Sequence, residues 1–476
     1  MTTVFWFTSD LRLNDNEALN RAVLDSQVAG AKAMVGLYVV DQETYLGLSG
    51  IRQHSLTESL KALDESMDGG LLVTNAENVS ETPRAIGAVA RAAQADRVIA
   101  TRGFDPATVE LQSKVGHYLA SIGVKLFLED SIYAVTPGTV RKPDGTPYKV
   151  YTPFYKCWLA TGWHKPQQFA GKDSSGQPSI SWLKPLVNQG PPKPTKESPI
   201  LVRAGEAYAL RTWQRFKNRA LAEYSENRNR ADLSGTSHLS HALAHGEIHP
   251  RTLLAELGDL PGHEVFRKEI AWREFYGDVL WHHPYSATDY LEPRFSEMRY
   301  DVGALAEERL AAWKAGKTGY PMVDAGMRQL ATTGWMHNRV RMIVASFLVK
   351  DLHLEWQLGA DWFEECLTDF DPASNAHGWQ WTAGCGTDAS PYYRVFNPVL
   401  QGLKFDPRGD YVRKFIPELA HIWGAQIHEP WDIIGGYSHG YPAPIVDHAA
   451  ERDESLKRLE EIKLAKPELP GRLAQK

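Results

Sequence analysis

Cysteine is scarce. The 476-residue chain holds three, Cys157, Cys366 and Cys385. They are widely separated, cannot all pair and show no metal-ligand spacing, so they read as reduced, buried thiols. A disulfide scaffold and a four-cysteine iron–sulfur cluster are excluded, and no metal site is expected. Long apolar runs are missing too: none approaches the roughly 18 residues of a membrane span. The first residues, MTTVFWFTSDLR, open on a strand-like run and not on a signal peptide, so the expected location is the cytoplasm, with no membrane partner. Positive charge is not in excess, since 52 Lys and Arg against 58 Asp and Glu leave a net charge of −6. That argues against indiscriminate polyanion binding, although a local basic face remains open. Finally, no GxGxxG follows the first strand, which makes a standard dinucleotide site there improbable.

What is present suggests two domains. A chain of this length exceeds one ordinary core, and 43% hydrophobic with 23% charged residues is an ordinary globular composition. Up to residue 135, the β-rich runs VFWFT, KAMVGLYVV, GLLVTNA, RVIATRG and VKLFLED alternate with helix-like segments. This is the pattern of a parallel α/β sheet with right-handed crossovers. Residues 136–199 are rich in Pro, Gly, Lys and Ser and read as an interdomain connector, with YKVYTPFYKCW as an ordered island. From residue 200 to 476 the period becomes helical, ending after residue 450 in a charged helix and a short tail. The fold expected is an α/β, Rossmann-like first domain followed by an all-α domain.

Chemistry-bearing residues gather in four stretches of the helical part. In GWMHNRVRMIVASFLVKDL, Asn338, Arg341, Met342 and Ala345 fall at i, i+3, i+4 and i+7 and share one face, while Ile343, Phe347 and Leu348 supply a greasier one. The polar stripe reads as a cavity wall. In EIAWREFYGDVLWH, Glu269, Trp272 and Arg273 share a face, a carboxylate beside an indole suited to a flat polar ring. Downstream come Asp369, Asp371, Asn375, Trp379 and Trp381; on a helix the two indoles point roughly 200° apart, into different surroundings. A fourth stretch, SGTSHLSHALAHG, predicts a helix opening at Ser234 or Gly235, with Thr236, Ser237 and Ser240 in its first turn as a seat for phosphate.

Seven strings, GTSHLS, WREFY, KTGYPMVDAGMRQL, GWMHNRVRM, DFDPASNAHGWQW, GTDASPYYRVFNP and FIPEL, in this order and spacing, resemble the flavin-dependent DNA photolyase and cryptochrome family, nearest to class I photolyases of cyclobutane pyrimidine dimers. The resemblance covers nearly the whole chain. It implies FAD, active in its reduced form, held by Tyr224, Thr236, Ser237, Leu239, Ser240 and Trp335 and by Asn338, Arg341, Asp369, Asp371 and Asn375, the Asn375 amide facing flavin N5. It implies ultraviolet-damaged DNA as substrate and partner, the flipped dimer lying between Trp272 and Trp381 with Met342 as a soft contact and Glu269 and Asn338 as polar partners. Arg273 shares that wall, while Arg228, Arg339, Arg394, Lys404 and Gln401 match positions beside the DNA backbone. Excited reduced flavin would give an electron to the dimer and take it back. Trp379 and Trp356 resemble the inner and middle members of the family's photoreduction chain, whose outer member is missing here, leaving Tyr300 or Trp313 as substitutes. An antenna is implied in the first domain, where Thr8 and Ser9 replace two common basic residues and TRGFDPATVELQSKV favours a deazaflavin over methenyltetrahydrofolate, with an empty cleft as the alternative. A monomer is expected. The competing reading is a cryptochrome-type blue-light receptor; repair of (6–4) photoproducts is disfavoured by Asn338, where that branch carries a His.

Overall fold

A computed structural model describes residues 2–173, 175–387 and 393–464. Residues 388–392 of the GTDASPYYRVFNP string and the tail after residue 464 lie outside the described residues.

The first half is the expected parallel sheet. Strands β1 (Thr2–Phe7), β2 (Ala33–Asp41), β3 (Leu71–Ala76), β4 (Ala95–Thr101) and β5 (Lys125–Glu129) lie in the order β3-β2-β1-β4-β5, every pairing parallel. Alternation along β1 explains the two layers of helix around it: Phe5 and Phe7 pack with Leu19, Leu60 and Leu63 on one face, Val4 and Trp6 with Ile86, Val89 and Val115 on the other. Because the chain first winds β1-β2-β3 and then crosses back to β4 and β5, the carboxyl ends of β1 and β4 diverge and leave a crevice.

The second half is helical and has two apolar cores. One gathers Trp313, Val340, Val344, Phe347, Trp356, Phe363 and Trp379; the other Trp158, Trp213, Phe216, Phe266, Ile270 and Phe275. Residues 136–199 are less of a plain tether than their composition suggests. The helix Tyr151–Thr161 puts Tyr151, Phe154, Tyr155 and Trp158 into the second core, and β6 (Ser181–Trp182) pairs with the start of β2. Apolar side chains at i, i+3, i+4 and i+7 outweigh the surrounding turn formers. The thiols are free among the described residues; Cys385 is buried, but Cys157 and Cys366 are only half-buried, a correction to the expectation of three buried thiols.

Buried polar contacts bind the halves together. The Arg251 guanidinium reaches Asp15 at 3.2 Å and Asp130 at 3.0 Å, Arg12 donates to the Gly246 carbonyl at 3.0 Å, and Glu206 accepts from the backbone N–H groups of Leu13 and Asn14. Charges removed from water in this way hold only as a connected network. One trio with ligand-type side chains, Glu17, Asp130 and His164, already surrounds the Arg251 guanidinium, which leaves no room for an ion there.

Candidate functional site

The three predicted stripes meet. Helices Pro261–His282, Asn338–Lys350 and Pro372–Ala383 pack around a cavity of about 530 Å³. Glu269, Trp272 and Arg273 line it from the first; Asn338, Arg339, Arg341, Met342 and Ala345 from the second; Asn375, Trp379 and Trp381 from the third. Asp369 and Asp371 stand where the chain turns into that third helix, and Tyr224, Arg228, Ser237 and Ser240 close the remaining side.

Most of the polar residues are held. Arg341 donates to Asp369 Oδ2 at 2.7 Å and to the Met336 carbonyl at 2.8 Å. Asp371 caps the Pro372–Ala383 helix by accepting from Ser374 N at 2.7 Å, and the Asn375 NH2 group donates to the Ala360 carbonyl at 3.0 Å. Glu269 is ion-paired with Arg228; burial pushes its pKa up, and Arg228 and Arg339 oppose that only in part. Arg339 donates to Asn229 Oδ1 at 2.8 Å and lies over the Phe405 ring, which Lys404 shares. Arg273 braces the wall: it donates to the carbonyls of Ile132 and Leu243, lies 4.6 Å from the Tyr133 ring centroid and is 3.7 Å from Asp371. Trp272 stacks flat on Tyr151, centroids 3.7 Å apart and planes 7° apart.

Two indoles diverge as their spacing predicts. Trp379 is buried against Gly359, where a Cβ would come within 2.1 Å of the ring, so only glycine admits it. Trp381 is half-buried and also lines a neighbouring pocket with Arg394. Thr236, Leu239, Trp335, Trp356, Arg394, Gln401 and Lys404 are not among the residues lining the main cavity. Leu239 is buried, Trp335 stands behind the wall and donates its indole N–H to Ser240 Oγ at 3.2 Å, and Trp356 is buried in the first helical core. The predicted helix at Ser234 or Gly235 starts later, at Ser240 (Ser240–Ala244), because His238 adopts φ 53° and a left-handed residue cannot continue a right-handed run. Thr236 and Ser237 therefore precede the helix.

Several lining residues escaped the sequence reading. Phe266, Ile270 and Tyr276 extend the Glu269 stripe at helical spacing, and Gly378 stands three residues after Asn375 on the same helix face, so these four were findable on that ground; Phe363 and Phe370 carry no such signal. At Gly378 a Cβ would meet nothing within 4 Å, so this glycine leaves cavity space. Asp369 Oδ1 is buried without a donor. An unpaired acceptor beside a guanidinium, in an aromatic-walled cavity with hydroxyls at one end, fits a planar ring that has both N–H and carbonyl groups and a phosphate tail, as FAD has.

A second cavity of about 320 Å³ occupies the crevice at the ends of β1 and β4. Thr8, Ser9, Phe104, Asp105 and Tyr133 line it from the sheet domain and Gly277, Phe370 and Asp371 from across the interface; Phe370 and Asp371 also wall the inner cavity.

A doubly wound domain, coupled through a shared wall to a helical domain with a flavin-shaped cavity, defines a class of two-domain flavoprotein with a second crevice between the domains. Residues 3–170 match the family described as DNA photolyase, and residues 266–461 match the FAD binding domain of DNA photolyase. The chain belongs to the DNA photolyase family. Among its relatives are the deoxyribodipyrimidine photo-lyases of Streptomyces griseus, 38% identical over 94% of this chain and 97% of the relative, and of Escherichia coli, 34% identical over 98% and 100%. Similar solved structures include a bacterial class III photolyase from Agrobacterium tumefaciens (TM-score 0.85, 34% identity, 98% of each chain) and a Synechocystis cryptochrome (TM-score 0.83, 27% identity, 96% of this chain and 98% of that one).

Proposed function

We infer that the protein is a light-driven DNA repair lyase that reverses cyclobutane pyrimidine dimers. The observation that carries this is the convergence of the Glu269, Asn338 and Asn375 stripes on one cavity with the Arg341–Asp369 pair in its wall.

FAD fits that cavity; when bound and reduced, it supplies the light-driven electron that opens the cyclobutane ring and recovers it afterwards. Ser237 and Ser240 would hold its phosphates, with Tyr224, Thr236 and Leu239 around them and Trp335 behind. Arg341, Asp369 and Asp371 would hold its polar groups, and Asn375 would offer the ring an uncharged amide. The lesion leaves the stack and enters the same cavity, where Trp272, stiffened by its stack on Tyr151, and Trp381 form the walls and Met342 adapts between them. Asn338 binds a base carbonyl. Glu269 is paired with Arg228, and burial raises its pKa, so it takes up a proton at higher pH than an ordinary glutamate; in that neutral form it would donate a hydrogen bond where negative charge develops on the base. Arg228, Arg339 and Lys404 face the phosphates, with Arg394 and Gln401 further out.

Trp379 and then Trp356 would pass on the electron that reduces the flavin. Of the two outer candidates, Trp313 touches Trp379 edge-on at 6.1 Å, yet it is fully buried and its N–H is spent on the Val344 carbonyl. Trp356 instead meets Tyr290 at 6.2 Å, and Tyr290 stacks on half-buried Tyr300 at 6.4 Å. A route that must end near solvent favours Tyr300. The crevice suits an antenna, with a deazaflavin favoured over methenyltetrahydrofolate; release of a folate from the purified protein would reverse that choice. The same reading includes a monomer working in the cytoplasm and a division into units 1–135, 136–199 and 200–476, the middle segment lending one helix to the helical core.

The decisive experiment compares dimer loss from ultraviolet-irradiated DNA in blue light and in darkness. Loss in light alone is expected; survival of the dimers beside fully reduced flavin would favour the receptor reading.

A further inference from the structure

One face of the helix Glu206–Arg219 is built of cations that nothing neutralises. Arg211, Arg215 and Arg219 recur every four residues, about 6 Å apart along the axis, and Arg203 stands ahead of them. All four are exposed, and among the described residues none makes an ion pair. The acidic neighbours are engaged elsewhere: Glu206 accepts from Leu13 and Asn14, and Glu256 pairs with Lys217. In a chain of net charge −6 this is a local reversal of sign.

The arginines, with Tyr208 and Asn218, border an open groove of about 660 Å³ that shares no residue with the lesion cavity. Arg203 and Tyr208 also border an adjoining groove of about 480 Å³, whose walls include Leu201, His238 and Trp335. The His238 and Trp335 rings lie 4.3 Å apart, with His238 held at φ 53°, a conformation few side chains adopt unless their surroundings enforce it. The two grooves form one trough, with cations along one stretch and rings along the next.

We propose that this trough is a second nucleic-acid surface, taking a single-stranded segment that carries no lesion. Successive phosphates run along the arginine stripe, and bases lie against Tyr208, His238 and Trp335. The rings decide for a single strand: a duplex offers its phosphates to the arginines but keeps its base faces stacked inside, whereas an open strand satisfies both halves of the trough. The surface gives the enzyme a hold on DNA that needs no damage.

The test uses the full-length protein, labelled undamaged oligo(dT) and a duplex of equal length, with binding followed by fluorescence anisotropy across a salt series. The triple variant Arg211→Ser, Arg215→Ser, Arg219→Ser changes only exposed side chains. It is expected to weaken oligo(dT) binding roughly tenfold and to lower the slope of log affinity against log salt by about 2, the sum of three phosphate contacts on a single strand. Repair of a dimer at saturating substrate stays within about twofold. Tyr208→Ala is expected to weaken oligo(dT) binding several-fold while leaving duplex binding alone. Unchanged oligo(dT) affinity and slope in the triple variant would overturn the proposal. So would a Tyr208→Ala variant that binds oligo(dT) like the parent while heparin competes equally for the stripe, since that describes a general polyanion patch.

Discussion

The two cavities are built in opposite ways. The inner one is cut into the helical half, and most of its walls are residues recurring at i, i+3 and i+4 on three helices; the crevice between the halves is walled by loop ends from β1 and β4 and by fragments from across the interface. Helix walls are rigid because each helix turns its other face into a packed core, as Val340, Val344 and Phe347 do behind Asn338 and Arg341. Loop walls depend on how two domains dock. A cofactor that must hold a reactive geometry belongs in the first kind of site, and the antenna proposed for the crevice, which would only pass on excitation energy, tolerates the second.

The comparison breaks most sharply at Gly378. Gly378→Leu meets open space in the cavity, so the protein is expected to fold yet lose nearly all bound flavin, read as the ratio of flavin to protein absorbance. Next in size, Asp369→Ala strands Arg341 in the wall and is expected to cost about 3 kcal/mol in a denaturant titration of the apoprotein. Trp379→Phe should slow light-driven flavin reduction roughly tenfold or more, Tyr300→Phe several-fold, and Trp313→Phe hardly at all, measured by bleaching of the oxidised flavin band; a larger effect at Trp313 than at Tyr300 would reverse the assignment of the outer member.

Glu269→Gln is expected to lower repair per absorbed photon a few-fold with DNA binding kept. Since burial raises the Glu269 pKa, the proton is present at low pH and lost as pH rises through the raised value, so parent activity falls on the alkaline side and the Gln variant lacks that limb. The same sign governs folding: the neutral carboxyl's stabilising contribution is complete below the ordinary glutamate value and disappears above the raised one. The smallest effect belongs to the crevice. If the crevice holds the proposed antenna, Phe104→Ala should reduce its absorbance and the repair it drives, leaving repair by directly excited flavin unchanged; a purified parent protein with no second chromophore would point to the empty cleft.

How much was legible follows the same division. Glu269, Trp272, Asn338, Arg341 and Met342 could be grouped from spacing alone, because a helix imposes its period on whatever it presents, and the alternating strands announced the parallel sheet. Tyr151 falls in YKVYTPFYKCW, which reads as an ordered island within a connector, but nothing in that string reveals that its ring stiffens Trp272. The late start of the Ser240–Ala244 helix depends on the left-handed conformation of His238, which no pattern of hydroxyls reveals. The choice between Tyr300 and Trp313 turned on burial and on the intervening Tyr290, both consequences of packing. The arginine repeat at 211, 215 and 219 is written in the sequence, but that no carboxylate answers it is a fact of the folded surface.

The amino-acid order by itself determined the local periods: which residues alternate in strands, which share a helix face, and therefore which polar groups travel together. Tertiary structure alone decided which faces meet, which aromatic ring reaches solvent, and where two domains leave a gap. Periodicity is a property of neighbouring peptide units, whereas burial and convergence are set by contacts between residues hundreds of positions apart.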